Sequence, residues 1–182
     1  MNNIHLKLIS PEDHLTDELE RINQASFPEC ERNSITDLFD SGNDGNLDML
    51  GIFTDEQLSG FFTVRKYRKL RYLAYFAVSP DKRCQGIGSA ALKKLKEFYP
   101  ECQIVCEFEA PEDKAYNNDI RLRRKALYLK NGFSSSGWYS FYDETEFEIA
   151  CTGGELDMTA FQGFITYLNT IVPDHIPDPY RK

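Results

Sequence analysis

Residues Arg71–Tyr99 read RYLAYFAVSPDKRCQGIGSAALKKLKEFY, and the changes of pattern within them decide the fold. Tyr72 to Val78 is an apolar, aromatic-rich run of the kind that fits a pleated, buried strand. Ser79-Pro80 ends it, because proline lacks the N–H of a ladder and restricts the residue before it. A basic, glycine-bearing loop follows, Lys82-Arg83-Cys84-Gln85-Gly86-Ile87-Gly88-Ser89-Ala90. It runs straight into a helix in which Ile87, Ala91, Leu95 and Phe98 recur at helical spacing, with Lys93, Lys94, Lys96 and Glu97 on the wet face. Strand, glycine loop and helix start together make an anion site: free amides and the positive end of the helix dipole attract phosphate, and glycines let it approach. Arg83 can add a fork of charged donors at the mouth.

Two other glycine loops compete for this reading. A Walker A loop needs Gly-Lys-Ser/Thr, whereas Gly88 leads to Ser89-Ala90. The dinucleotide fingerprint G-x-G-x-x-A is met by Gly86-Ile87-Gly88-Ser89-Ala90-Ala91, with Glu107 about twenty residues on. In that fold, however, the strand runs almost directly into the first glycine, and here Ser79 to Gln85 intervene with a proline and two cations.

Arg83-Cys84-Gln85-Gly86-Ile87-Gly88, following a strand that ends Ala-Val-Ser-Pro, resembles the [QR]-x-x-G-x-[GA] pyrophosphate loop of the GNAT superfamily of acyl-CoA N-acyltransferases. Downstream, Leu127-Tyr128-Leu129-Lys130-Asn131-Gly132-Phe133 is similar to that family's Y-x-x-x-G-F helix end. The resemblance covers roughly Ile4 to Cys151. It implies an α/β (α+β) fold: a mixed, mostly antiparallel sheet whose central parallel strands splay apart, flanked by helices. The coenzyme's pantetheine arm would pair with backbone groups of Phe76, Ala77 and Val78, and its diphosphate would lie on Arg83, Cys84, Gln85, Gly86, Ile87, Gly88, Ser89 and Ala90. One departure is Arg121, which stands seven residues before Tyr128 where the family usually has an asparagine; this puts that asparagine's coenzyme contact in question.

At 182 residues, 41% hydrophobic and 27% charged, the chain has the make-up of an ordinary globular protein. No apolar run is long enough for a bilayer and MNNIHLKLIS lacks a signal-peptide core, so a cytoplasmic protein without membrane contact is expected. The net charge of −8 argues against nucleic acid as a partner, since phosphate backbones require a basic surface. The acidic surplus suits a cationic amine as acceptor. Five scattered cysteines and three histidines form no ligand spacing, so no metal is expected and the cysteines read as buried free thiols.

Taken in order, Ile4 to Ile9 alternates as a strand, and Ser10-Pro11-Glu12-Asp13 looks like a capped helix start continuing through Leu15, Leu19, Ile22 and Phe27. Ser34 to Phe39 suggests a short second helix. By the resemblance, Phe27 to Asn33 and the region of Phe39 are acceptor-pocket candidates. Leu47 to Phe53, Gln57 to Tyr67 and Arg71 to Val78 form a meander, with Arg65, Lys66, Arg68, Lys69 and Arg71 clustered at its second turn, either solvated or a patch for a ribose phosphate. Gln103 to Glu109 is the next strand, parallel to the Tyr72 strand across the crossover helix. Asp119 opens a helix whose core stripe reads Leu122, Ala126, Leu129 and Phe133, with Arg121, Arg124 and Tyr128 on another face. Ser134 to Gly137 is a loop, and Trp138 to Tyr142 and Thr145 to Cys151 are a hairpin around Asp143-Glu144. By the resemblance, residues 1–152 would form the acetyltransferase domain. Residues 153–182 are a helical extension, its amphipathic stretch from Glu155 to Val172 burying Met158, Phe161, Phe164, Ile165, Leu168 and Ile171 against the sheet or a second subunit, with a loose tail from Pro173. A monomer or a homodimer fits equally.

The chemistry implied by the resemblance is transfer of an acetyl group from acetyl-CoA to a primary amine by direct attack in a ternary complex, foremost on a small molecule and alternatively on a protein or peptide amine. Glu107 and Glu109 lie two apart in a strand, so both carboxylates project to one face, where like charges need a cation. Either could take the amine's proton, or be salt-bridged by Arg121 and Arg124. Tyr128 could steady the leaving thiolate or be a core aromatic. Cys84 reads as a spacer, since an acyl-cysteine would need a base beside it. A catalytically silent coenzyme-A-binding domain would need the loop but not Tyr128.

Overall fold

The computed structural model describes residues 3–142, 144–172 and 176–182. In chain order its elements are β1 (Ile4–Leu8), α1 (Thr16–Ser26), α2 (Ile35–Asp40), β2 (Leu47–Thr54), β3 (Gln57–Tyr67), β4 (Leu70–Val78), α3 (Ile87–Phe98), β5 (Gln103–Glu109), α4 (Asn118–Lys130), β6 (Ser134–Tyr142), β7 (Thr145–Cys151), α5 (Met158–Leu168) and β8 (Tyr180–Arg181). They fall into two units, one built from the N-terminal part through Lys66 with Leu73–Pro100, the other from Tyr67–Tyr72 with Glu101–Lys182. This division follows packing, and so differs from the boundary at residue 152 that separates the family-like region from the extension.

In the first unit β1, β2 and β3 run antiparallel, with Leu8 opposite Leu50 and Leu50 opposite Phe62. Alternate side chains of these strands meet α1 and α2, so that Leu19, Ile22, Ile35, Leu38, Met49 and Phe61 form one core with Ala77 of β4. The helix α3 buries Ile87, Ala91, Leu92 and Leu95; Phe98, expected on the same stripe, is the last residue of the helix and is 39% exposed. The start of α1 also lies later than its sequence suggests. Ser10 and Asp13 close a turn of their own, the Ser10 N–H donating to Asp13 Oδ2 at 2.8 Å, and the helix begins at Thr16. A true cap stands at α2, where Ser34 Oγ accepts from the Asp37 N–H at 3.0 Å.

The second unit pairs β5 with β7, β7 with β6 and β6 with β8, all antiparallel. Residues 134–137, expected as a loop, belong to β6 and carry a bulge between Ser135 and Trp138. The extension packs on this unit as α5: Phe161, Phe164, Ile165 and Leu168 are buried against Leu70, Val105, Ile149 and Cys151, each side chain contributing about 1.5–3 kcal/mol. Ile171 instead is 41% exposed, one turn beyond the helix. The tail is not loose throughout, because β8 ladders onto β6 with Tyr180 opposite Tyr139. Asp143 of the β6–β7 turn, and Pro173 and His175 of the tail, lie outside the described residues.

Two more expectations change. The basic run at the β3–β4 turn is largely engaged: Arg65 is buried and donates to Ser41 O and Oγ at 2.9 and 2.8 Å, Lys66 pairs with Asp48 at 2.7 Å, and Arg71 holds the carbonyls of Arg68 and Leu70. Cys106 and Cys151 are buried thiols, pushed up in pKa by burial, but Cys84 is exposed.

Candidate active site

The loop of the first unit is shaped by its punctuation. Pro80 starts a single tight turn through Lys82, Ser79 Oγ hydrogen-bonds Asp81 Oδ1, and the chain then passes through left-handed backbone at Cys84 (φ 61°) and Gly86 (φ 79°) before α3 begins. Among the described residues the backbone N–H groups of Gln85, Gly86, Ile87 and Gly88 have no acceptor, while that of Ala90 closes the first helical bond to Gly86 O at 3.1 Å. A Cβ on Gly86 would meet nothing within 4 Å. Its glycine therefore answers to backbone conformation, and the space above it is open to a ligand. Ser89 and Ala90 follow in the first turn of α3, half-buried.

The cations of this loop act differently from their sequence reading. Arg83 Nε donates to Val78 O at 2.9 Å and Nη2 to Ser26 Oγ at 3.0 Å, so the guanidinium braces the loop between the end of β4 and α1. Lys82 Nζ reaches Leu58 O and Ser59 Oγ at 3.2 and 3.1 Å. Phe76 lies against Phe62 with ring centroids 4.6 Å apart, and Ala77 is buried with its carbonyl over Gly60. Of the strand segment expected to meet the coenzyme arm, the Val78 carbonyl is already engaged by Arg83.

Beside β4 the acceptor candidates are tied into place. Tyr75 Oη accepts from the Asn33 N–H and Nδ2 at 3.2 and 3.3 Å and donates to Glu31 O at 3.3 Å, and Phe27 meets the Tyr75 ring edge-on at 5.2 Å. Phe39 packs on the α1–α2 core.

In the second unit Tyr128 comes in from α4 and is 6% exposed. Its ring stacks on Phe108 of β5 at 5.4 Å and meets Phe133 edge-on at 5.2 Å, while among the described residues its hydroxyl has no hydrogen-bond partner. Burial pushes its pKa well up, so the group stays a phenol and a donor. Alternation along β5 puts Phe108 on one face and Glu107 with Glu109 on the other. Glu107 accepts from Ser140 Oγ at 2.8 Å and from the Tyr142 hydroxyl at 3.4 Å; burial raises its pKa, and these two donors only partly offset that.

Glu109 at the strand end is engaged by α4. Arg121 Nη2 lies at 2.8 Å, Arg124 Nη1 at 3.4 Å and Asn117 Nδ2 at 3.3 Å, and Arg121 also holds Asn117 Oδ1 and Ala110 O. The inner face of α4 is thus polar. Lys125 Nζ pairs at 2.7 Å with Glu148 of β7, which is 1% exposed and lies opposite Phe108 in the β5–β7 register. Sequence reasoning missed Ser140, Tyr142 and the Lys125–Glu148 pair. The alternation that aims Ser140 and Tyr142 to one side is visible in the sequence, but the β5–β7–β6 pairing that brings them to Glu107 is not.

The sequence model of the Acetyltransferase (GNAT) family matches residues 13–133. The chain belongs to the GNAT acetyltransferase family. It is an N-acetyltransferase that uses acetyl-CoA, and its α/β architecture is the GNAT fold. A Bacteroides thetaiotaomicron protein assigned to the GNAT acetyltransferases is 25% identical, with a TM-score of 0.76 over 92% of this chain and 97% of that one. The ribosomal-protein-S18-alanine N-acetyltransferase of Escherichia coli shares the fold at 21% identity and a TM-score of 0.60, covering 86% and 96%. A GNAT acetyltransferase of Elizabethkingia anophelis with acetyl-CoA bound does so at 14% identity and 0.57, covering 85% and 99%. No sequence match was found among curated proteins. The GNAT turn ahead of α3, with its open glycine and four unengaged amides, fits a diphosphate.

Proposed function

We propose that this GNAT enzyme acetylates a primary amine of a small molecule by direct attack, with amides 85–88 holding the coenzyme diphosphate, Tyr128 serving the leaving group and Glu107 accepting the proton. Acetyl-CoA supplies an acyl thioester whose carbonyl carbon the amine nitrogen attacks, the C–S bond breaking to release a thiolate. An alkyl amine with a reference pKa near ~10.4 is about three units from neutrality, so freeing its lone pair costs roughly 4 kcal/mol. A carboxylate with a raised pKa is the better acceptor for that proton, and Glu107 has one. Glu109, paired twice with arginine, reads as the structural acid of the two.

Tyr128 works as a hydrogen-bond donor. Full proton transfer from an ordinary tyrosine near ~10 to a thiolate near ~8.5 runs uphill by about 2 kcal/mol, and burial of Tyr128 increases the difference. The bracing of Arg83 supports preorganisation of the turn rather than a direct charge contact.

The observation that carries this reading is the set of unengaged amides from Gln85 to Gly88 at a left-handed glycine. A thermal-shift comparison tests it: acetyl-CoA and coenzyme A raise the melting temperature, and a nicotinamide dinucleotide does not. Thiol release with a panel of alkyl amines, polyamines and lysine-bearing peptides then identifies the acceptor class. In Tyr128→Phe the coenzyme shift persists while turnover falls by about 10²-fold or more. Stabilisation by the dinucleotide alone, or full turnover in Tyr128→Phe, overturns the assignment.

A further inference from the structure

The outer face of α4 inverts the usual order of a surface helix. Leu122, Ala126 and Leu129, at i, i+4 and i+7, make a continuous apolar stripe, yet Leu122 is 48% and Leu129 41% exposed and Ala126 is open to solvent as well. The opposite face carries Tyr128, Arg121 and Lys125 inward. An apolar stripe left open along a helix is a candidate contact surface.

The charges beside it specify what covers it. Asp119 and Lys130 flank the stripe on the same side, eleven positions or about three turns apart, and among the described residues neither makes an ion pair or hydrogen bond. Turn a second α4 antiparallel about a two-fold axis near Ala126. Leu122 then lies against Leu129 of the second copy, Asp119 faces Lys130 of the second copy, and both contacts recur by symmetry. A parallel pairing would instead place both aspartates at one end and both lysines at the other, with no complementary contact at either. Ala126 at the crossing point is small enough to let the two backbones approach closely.

We infer that the outer face of α4 is a homodimer contact in which two copies of this chain pair antiparallel through Leu122, Ala126 and Leu129, with Asp119 and Lys130 setting the direction. One isologous helix pair is smaller than the roughly 1,200 Å² buried by stable dimers. The association is therefore concentration-dependent rather than obligate. Because Tyr128 and its partners face the other way, pairing leaves the acetyl-transfer groups uncovered, and the inference stands apart from the proposed reaction.

Sedimentation velocity of the full chain over a concentration series tests it. The wild type shifts from monomer to dimer as concentration rises. Leu122→Glu/Leu129→Glu weakens association by about tenfold or more, with an unchanged far-ultraviolet spectrum and an unchanged coenzyme-induced thermal shift. Asp119→Lys alone and Lys130→Asp alone each weaken it, and an equimolar mixture of the two restores a heterodimer, since each mismatched end then meets its complement. A wild type that stays monomeric at every concentration, a dimer that survives Leu122→Glu/Leu129→Glu, or a mixture no better than its components overturns the inference.

Discussion

Glu107 is held by two hydroxyl donors, Ser140 and Tyr142, in surroundings that burial has made hostile to its charge. A carboxyl whose pKa is raised on folding binds a proton that the unfolded chain has already lost, so stability falls as pH rises between the unfolded and folded values. Glu107→Gln removes that loss. The stability of the variant relative to wild type, from denaturant titrations at several pH values, should improve from acid toward neutral pH. Its acetyl-transfer rate should fall, and the acidic limb of the pH–rate profile should disappear. Gly60 is constrained in another way: a Cβ there would lie 2.2 Å from the Ala77 carbonyl oxygen, a backbone atom that cannot rotate aside. Gly60→Ala should cost about 1–3 kcal/mol, toward the upper end, read as a lowered melting temperature.

Among the elements, α3 and its turn are legible because two independent demands coincide there, a helical apolar period and a glycine at positive φ. The helix α4 is not. Its Leu122, Ala126 and Leu129 satisfy a core pattern that the fold turns outward, since Lys125 can point inward only if Glu148, twenty-three residues away, neutralises it. Glu109 is a similar case, because two like carboxylates on a strand suggest a ligand cation until Arg121 arrives from another element. Within α5 both signals agree, and the helix lies where its period places it. Asp157 caps it, Oδ1 accepting from the Ala160 N–H at 3.0 Å. Asp157→Ala should destabilise the protein by about 1 kcal/mol, with coenzyme affinity unchanged in the same preparation.

At the scale of the whole molecule, short-range pattern gives the order of elements, and the strand assignments for β3, β5 and β7 match residue for residue or nearly so. What pattern misses is pairing between distant segments, of which β8 is the plainest case: two residues are too few to show alternation. Yet Tyr180 donates to Glu146 at 2.5 Å, Lys182 pairs with the same carboxylate and Arg181 lies over the Trp138 ring at 5.0 Å. Those contacts occupy ladder positions that β6 would otherwise present bare. A rim with free donors and acceptors beside Trp138, Tyr139 and Phe141 is a template for intermolecular strand addition. Trimming the last three residues should thus leave turnover intact while making the protein scatter light on storage, so that this short strand guards solubility rather than catalysis.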